Sequence, residues 1–206
     1  MVGGGATRTN HNTLEETMTR LTLAVLAAML AFAPAQAAQE DQLRIIEKDT
    51  SYKVKTTDGE EITITRTMTK CAKNKGWLQP LIPAKGINPV VELEVLAALN
   101  DKDFVVADMR EVDWHLQGTI PGAVNVPYTE ISGRLGEFGC KKTEGKWDCA
   151  NAKKVLGFCN GPVCPQSPSG MRAMIREGFP AEKIYYYRGG MLDWEALGLT
   201  TVEGSL

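Results

Sequence analysis

Apolar positions along the chain fall into three patterns. The first is a continuous block, Leu21 to Phe32, in which only Thr22 is polar. The second has period two. Tyr52-Lys-Val-Lys-Thr56 and Glu61-Ile-Thr-Ile-Thr-Arg66 flank a turn at Asp58-Gly59, which predicts a β-hairpin with one face buried and Lys53 and Lys55 solvated. The third begins at Asn88, where short apolar runs alternate with helical stripes. Asn88-Pro89 ahead of Val91, Val95, Leu96 and Leu99 predicts a capped helix starting at the proline. Phe104 to Ala107 is a strand ending at Asp108, Ala123 to Val126 a second, and Val155 to Phe158 a third ending at Cys159. A helix from Pro168 to Glu177 is closed by Gly178; then come a strand, Lys183 to Tyr187, ended by Gly189-Gly190, and a short helix, Met191 to Leu197. Tyr185 to Tyr187 read as strand packing.

Alternation of strand and helix predicts an α/β fold with a mostly parallel central sheet flanked by helices, preceded by the small N-terminal hairpin. Ligands of such sheets sit outside the carboxyl ends of the strands, where Asp108, Cys159 and Arg188 are expected. Residues 39–50 read as a linker or loose helix. Residues 67–87 read as a loop-rich strap on the main body.

The continuous block is too short to span a bilayer comfortably, which takes roughly 20 apolar residues. With Met18-Thr-Arg20 before it and Ala35 and Ala37 after it, it reads as a secretory signal over 18–37, cleaved after Ala37. Residues 1–17 are then a spurious extension from an upstream start codon, 38–87 an N-terminal extension with the hairpin, and 88–206 the main domain. The expected location is periplasmic or secreted. The chain has 206 residues, 43% of them hydrophobic and 23% charged, with net charge -2, which excludes a disordered, collagenous or polytopic membrane protein. Balanced charge gives no pull toward nucleic acid, and after signal removal nothing is left to hold a membrane.

An exported chain can form disulfides, which changes the reading of its five cysteines. Cys140 and Cys149 bracket a polar segment, and a disulfide is the simplest account; a lone Cys-x8-Cys with no paired histidine is a poor zinc site, so no metal or cofactor is expected. Cys71 has no evident partner. Cys159 and Cys164 bracket Asn160-Gly-Pro-Val163. Cys164 is open to three readings, a disulfide with Cys159, a resolving thiol or a buried packing residue. Cys159 is a nucleophile or an inert core cysteine. His115, in Trp114-His-Leu116, reads as a surface or helix-face residue rather than a base.

Val105-Val-Ala-Asp108-Met-Arg110, followed by Gly118-Thr-Ile-Pro-Gly-Ala123-Val-Asn-Val-Pro127, resembles the Asp-x-Arg and Gly-His-Ile-Pro-Gly-Ala segments of rhodanese domains. Phe158-Cys159 with its loop into a helix is similar to that family's active-site loop, and Tyr187-Arg188-Gly189-Gly190 with Trp194 to its closing segment. The resemblance covers roughly 88–200. It implies a sulfurtransferase, in which Cys159 accepts sulfane sulfur as a persulfide and passes it to a nucleophile, with Asp108 and Arg110 in support. Thr119, in place of the family's histidine, is expected to alter local packing only. The partners implied are a small sulfur donor or a protein persulfide or thiol.

A cysteine at a helix N-terminus is favoured as thiolate. Pro162, Pro165 and Pro168 lack N–H groups, which leaves Asn160, Gly161, Val163, Cys164 and Gln166 as expected backbone donors; with Ser167 these complete the binding loop. The loop has no cation, so a neutral or protein-bound donor fits better than thiosulfate unless Arg110, Arg172 or Arg188 reaches it. Pro165 stands where Cys-x5-Arg phosphatases hold their arginine, which excludes that chemistry. The remaining alternatives are a sulfur-relay or thiol–disulfide protein using both loop cysteines, and a non-catalytic binding module.

Overall fold

The period-two segments form strands β1 (Ser51–Lys55) and β2 (Glu61–Thr65), paired antiparallel with Tyr52 opposite Ile64 and Val54 opposite Ile62. That apolar face is not buried: Tyr52, Ile62 and Ile64 are all about half exposed. Two strands offer no second layer, so the hairpin is tied down at its base. Leu43 and Ile45 are buried there, the Leu43 N–H donates to the Arg66 carbonyl, and the Arg66 guanidinium donates to the carbonyls of Arg44 and Gly76. Residues 42–50 are thus an extended segment closed by a bridge between Ile46 and Asp49, not a helix. Lys53 is solvated and pairs only with exposed Glu61.

The computed structural model describes residues 1, 3–4, 42–69 and 75–205. The expected signal over 18–37 and Cys71 lie outside the described residues. The chain divides into two compact units, Met1–Glu40 and Asp41–Leu206, and the strands and helices of the described residues belong to the second. Among the described residues no helix is long and apolar enough to cross a membrane.

Beyond the strap, Asn88–Val90 is strand β3, in parallel register with Tyr185 to Tyr187. The expected helix start at Pro89 is therefore displaced. The Asn88 amide donates to the carbonyls of Glu182 and Ile184 instead of capping a helix, and Pro89 is tolerated because β3 is an edge strand. Helix α1 (Glu92–Leu99) follows, with the Glu94 carboxylate accepting from the Val91 N–H. Its buried positions are Val95 and Ala98, whereas Val91 and Leu96, expected in the buried stripe, are exposed.

The remaining elements are β4 (Phe104–Asp108), α2 (Val112–Gln117), β5 (Val124–Asn125), the antiparallel pair β6 (Lys141–Thr143) and β7 (Lys146–Asp148), β8 (Lys154–Phe158), α3 (Gln166–Arg176), β9 (Ile184–Tyr187) and α4 (Gly190–Ala196). The sheet runs β3-β9-β8-β4-β5, with every pair parallel. Its central strands are buried on both faces, hence the unbroken runs Phe104–Ala107 and Val155–Phe158. One face packs Met109, Val126, Leu135, Met171 and Tyr186; the other packs Val95, Val106, Phe158, Tyr187 and Trp194. Gly157 lets α3 lie close on β8, because a Cβ there would strike the Met109 and Met171 side chains.

Cys140 and Cys149 flank the β6–β7 pair and are joined by a disulfide with sulfurs 2.10 Å apart. Both are buried, packed in the same core cluster as Phe138 and Ala152. Replacing both by alanine is expected to lower the unfolding free energy by about 2–3 kcal/mol. Urea unfolding at constant m-value measures this; an unchanged midpoint would show that the β6–β7 finger folds without the link.

Candidate active site

Three strand ends converge on the carboxyl edge of the sheet. Cys159 follows directly on β8, the loop 160–165 turns back with the Cys164 N–H donating to the Gly161 carbonyl at 2.9 Å, and α3 begins at Gln166. The loop is held from outside by other elements. The carbonyls of Cys159 and Asn160 accept from the N–H groups of Met191 and Leu192, both at 3.0 Å. Those donors belong to the first turn of α4 and have no partner within their own helix. Gly190, at φ +57°, permits this approach: a Cβ there would collide with the Cys159 carbonyl and lie 2.8 Å from the Gly161 nitrogen. On the opposite flank the strap residue Gln79 donates its N–H to the Pro162 carbonyl at 2.8 Å.

Cys159 is 1% exposed and unpaired, as is buried Cys164. The Ser167 hydroxyl donates to Cys159 Sγ at 3.0 Å, and a protonated Cys159 would donate to the Cys164 carbonyl at 3.3 Å. Burial pushes the Cys159 thiol up. Hydrogen bonds from the Cys164 thiol, the Ser167 hydroxyl and the backbone N–H groups of Ser167 and Gly161 overcome that and bring it from 9.0 down to about 7. Cys164 is driven the other way, chiefly by its hydrogen bond to Cys159 and by burial, so it keeps its proton. The Cys164 sulfur also lies 3.7 Å from the Gln166 amide oxygen. Of the expected backbone donors Gly161 is engaged; Ser167, one residue past Gln166, supplies both an N–H and a hydroxyl.

Behind the loop is a buried polar cluster centred on Asp108, which is 0% exposed. Arg110 reaches its two oxygens with Nε at 2.8 Å and Nη2 at 2.6 Å. Arg110 Nη1 donates to the Asn160 amide oxygen at 3.3 Å and Nη2 also to the Gly118 carbonyl at 2.6 Å. Thr119 does more than pack, since its hydroxyl donates to Asp108 Oδ2 at 2.9 Å. His115 is not a surface residue: at 2% exposed it sits with Nδ1 3.1 Å from Asp108 Oδ2 and Nε2 3.3 Å from the Ser205 carbonyl. Its flanks, Trp114 and Leu116, are the exposed ones, a pattern a six-residue helix is too short to announce.

Asp108, Arg110 and the loop residues Cys159, Asn160, Gly161, Pro162, Val163, Cys164, Gln166 and Ser167 therefore share one end of the sheet. Cys140 and Cys149 lie apart, on the β6–β7 finger. A cavity of about 170 Å³ beside Asn160 is lined by Arg110, Trp114, Met191, Leu192 and Glu195 among others. Arg110 is committed to Asp108, and Arg172 turns to the Ser169 hydroxyl. Among the described residues no group of three or more histidine, cysteine or acidic side chains could hold a metal ion. What the arrangement can do is keep one buried sulfur ionised near neutral pH beside a second that stays protonated.

The sequence matches the rhodanese-like domain family over residues 92–197. A curated relative, an HTH-type transcriptional regulator of Mycobacterium tuberculosis, is 25% identical over 116 residues, 56% of this chain and 45% of the regulator. The chain thus spans less than half the length of that relative. Among solved structures, a thiosulfate sulfurtransferase from Pseudomonas aeruginosa is 23% identical with a TM-score of 0.42, over 56% of this chain and 20% of that one. The rhodanese-like domain of an Anabaena protein is 19% identical with a TM-score of 0.43, over 56% and 78%.

The ultraviolet thiolate absorbance lost in Cys159→Ser is expected to titrate with a midpoint of about 7. Ser167→Ala should move that midpoint up toward 9.0, and an unmoved midpoint would remove the hydroxyl as a cause. Because the folded value is the depressed one, the thiolate stabilises the fold fully above the unfolded value, and that contribution fades as pH falls through about 7.

Proposed function

The chain belongs to the rhodanese-like domain family, and we propose on that basis that it is an exported sulfurtransferase in which Cys159 carries a persulfide and passes its outer sulfur to a thiol or another nucleophile. The observation that carries this reading is a buried, unpaired cysteine at the end of a parallel strand with its pKa drawn to about 7. Thiolate is the species that attacks sulfur, and no separate base is needed to make it. In loading, Cys159 Sγ bonds to the donor's sulfane sulfur, the donor's own bond to that sulfur breaks, and its leaving group departs with the electron pair.

No loop side chain is cationic, and Arg110 already has its fork on Asp108. Neither the loop nor Arg110 therefore gives a dianion such as thiosulfate the bidentate clamp that an arginine-bearing loop offers. We assign the donor role to a small persulfide or a protein-bound one. The exported location is supported by the signal-like pattern over 18–37 and by the Cys140–Cys149 disulfide, a bond that persists in oxidising compartments.

Cys164 gives a second reading, because it is hydrogen-bonded to Cys159. In a sulfur relay it would attack Cys159 of the persulfide, expel hydrosulfide and leave a Cys159–Cys164 disulfide. Its retained proton makes it a better hydrogen-bond donor to Cys159 than an attacking thiolate. A binding module without chemistry is the third.

Intact mass after exposure to a persulfide donor separates the three. The sulfurtransferase predicts one added sulfur in wild type and in Cys164→Ser, and none in Cys159→Ser. A reducible link in wild type, with added sulfur trapped only in Cys164→Ser, supports the relay. No adduct in any form sinks both and leaves the binding module.

A further inference from the structure

Strand β9 carries two adjacent tyrosines in opposite circumstances. Tyr187 faces the cluster of Val95, Phe158 and Trp194, and its hydroxyl donates to the Glu92 carboxylate at 2.7 Å. Tyr186 faces the other side, with Met109, Met171 and Met174. It is 0% exposed, and its hydroxyl has no hydrogen-bond partner. One position past β9, Arg188 Nε is likewise buried without a partner. A buried donor left unmatched is costly, so two of them close together call for an explanation.

The register supplies it. Tyr186 lies opposite Gly157 of β8. Side chains alternate along a strand, so Gly157 and Cys159, two residues on, face the same side of the sheet, the side that α3 covers. Tyr186 shares that side, and the space over Gly157 is filled by the Met109 and Met171 side chains. The charges that act on the Tyr186 hydroxyl are those of Cys159, Arg188 and Cys164, and the Ser167 side chain lies near enough to act on it too, although no partner meets hydrogen-bond geometry. The close partners of Cys159 Sγ itself are Ser167 and Cys164, and Tyr186 is not among them. A persulfide extends the chain by one sulfur, about 2.05 Å beyond Sγ, and carries its negative charge there.

We propose that the Tyr186 hydroxyl, with Arg188 Nε as second donor, receives the outer sulfur of a Cys159 persulfide. The proposal rests on the sulfurtransferase reading above and adds to it a receptor that distinguishes the loaded cysteine from the empty one. The thiolate is held by Ser167, Cys164 and the loop; the outer sulfur is held by the Tyr186 hydroxyl and Arg188 Nε, two buried donors that the thiolate does not use. Loading from glutathione persulfide forms the bond from Cys159 Sγ to the sulfane sulfur and breaks the bond from that sulfur to glutathione. Glutathione leaves as thiolate with the electron pair, so charge balances, no proton moves and no outside oxidant is required.

Tyr186→Phe tests this, since it removes only the hydroxyl. Wild type and variant are loaded with glutathione persulfide, and the added sulfur is followed by intact mass over time, alongside the thiolate titration and urea unfolding of the unloaded proteins. The expected result is sulfur loss about tenfold faster in Tyr186→Phe, with the titration and the urea midpoint unchanged. Arg188→Lys, which keeps the charge but not the Nε donor, should shorten the lifetime less. Equal lifetimes in wild type and Tyr186→Phe overturn the proposal and leave the sulfurtransferase reading standing. A fall in both lifetime and urea midpoint assigns the hydroxyl a structural role and also overturns it. A wild type that takes up no sulfur overturns both.

Discussion

The carboxylate of Asp108 is the group on which the arrangement of the site depends. It stands at the end of β4 wholly out of water, where an unpaired charge would cost several kcal/mol. Arg110, His115 and Thr119 satisfy it, all from the segment that directly follows β4. Each then passes the constraint on. Arg110 holds the Asn160 amide and the Gly118 carbonyl, His115 lies against the Ser205 carbonyl, and Thr119 pairs with Val202. One buried charge thereby joins β4, α2, the turn before β5, the C-terminal segment and the loop after Cys159.

The loop is fixed from its other side by backbone alone. Two N–H groups at the start of α4 hold the carbonyls of Cys159 and Asn160, and the absence of a side chain at Gly190 lets them come close. Held at both flanks, the loop turns the Ser167 hydroxyl and N–H toward the cysteine, and these with Cys164 outweigh the burial that would keep the sulfur protonated. The same economy limits the chemistry. Every Arg110 donor on Asp108 is one that does not face Cys159, so Arg110 offers no anion clamp there. Among the described residues, Tyr186 Oη and Arg188 Nε are buried without a hydrogen-bond partner.

Much of this was legible in the chain because the parallel strands are buried on both faces and so read as apolar runs with a polar residue at the end. Phe104–Asp108 and Val155–Cys159 announce two strand ends that way, and Cys140 and Cys149 announce a disulfide, though not the β6–β7 pair it closes. Tertiary partners overrode the local signals elsewhere. Asn88-Pro89 has the chemistry of a helix start but pairs with β9 as an edge strand. The hairpin alternates correctly, yet no second layer covers its face. His115 in a short helix and the different fates of Tyr186 and Tyr187 depend on what lies across the sheet, which no local pattern encodes.

The most direct test of Cys159 as an ionised sulfur acceptor is the pH dependence of its loading rate. With excess low-molecular-weight persulfide of constant ionisation, the rate of sulfur uptake should reach half its plateau at about pH 7, following the depressed thiol. A rate still climbing through pH 9.0, as for an ordinary thiol, would contradict it.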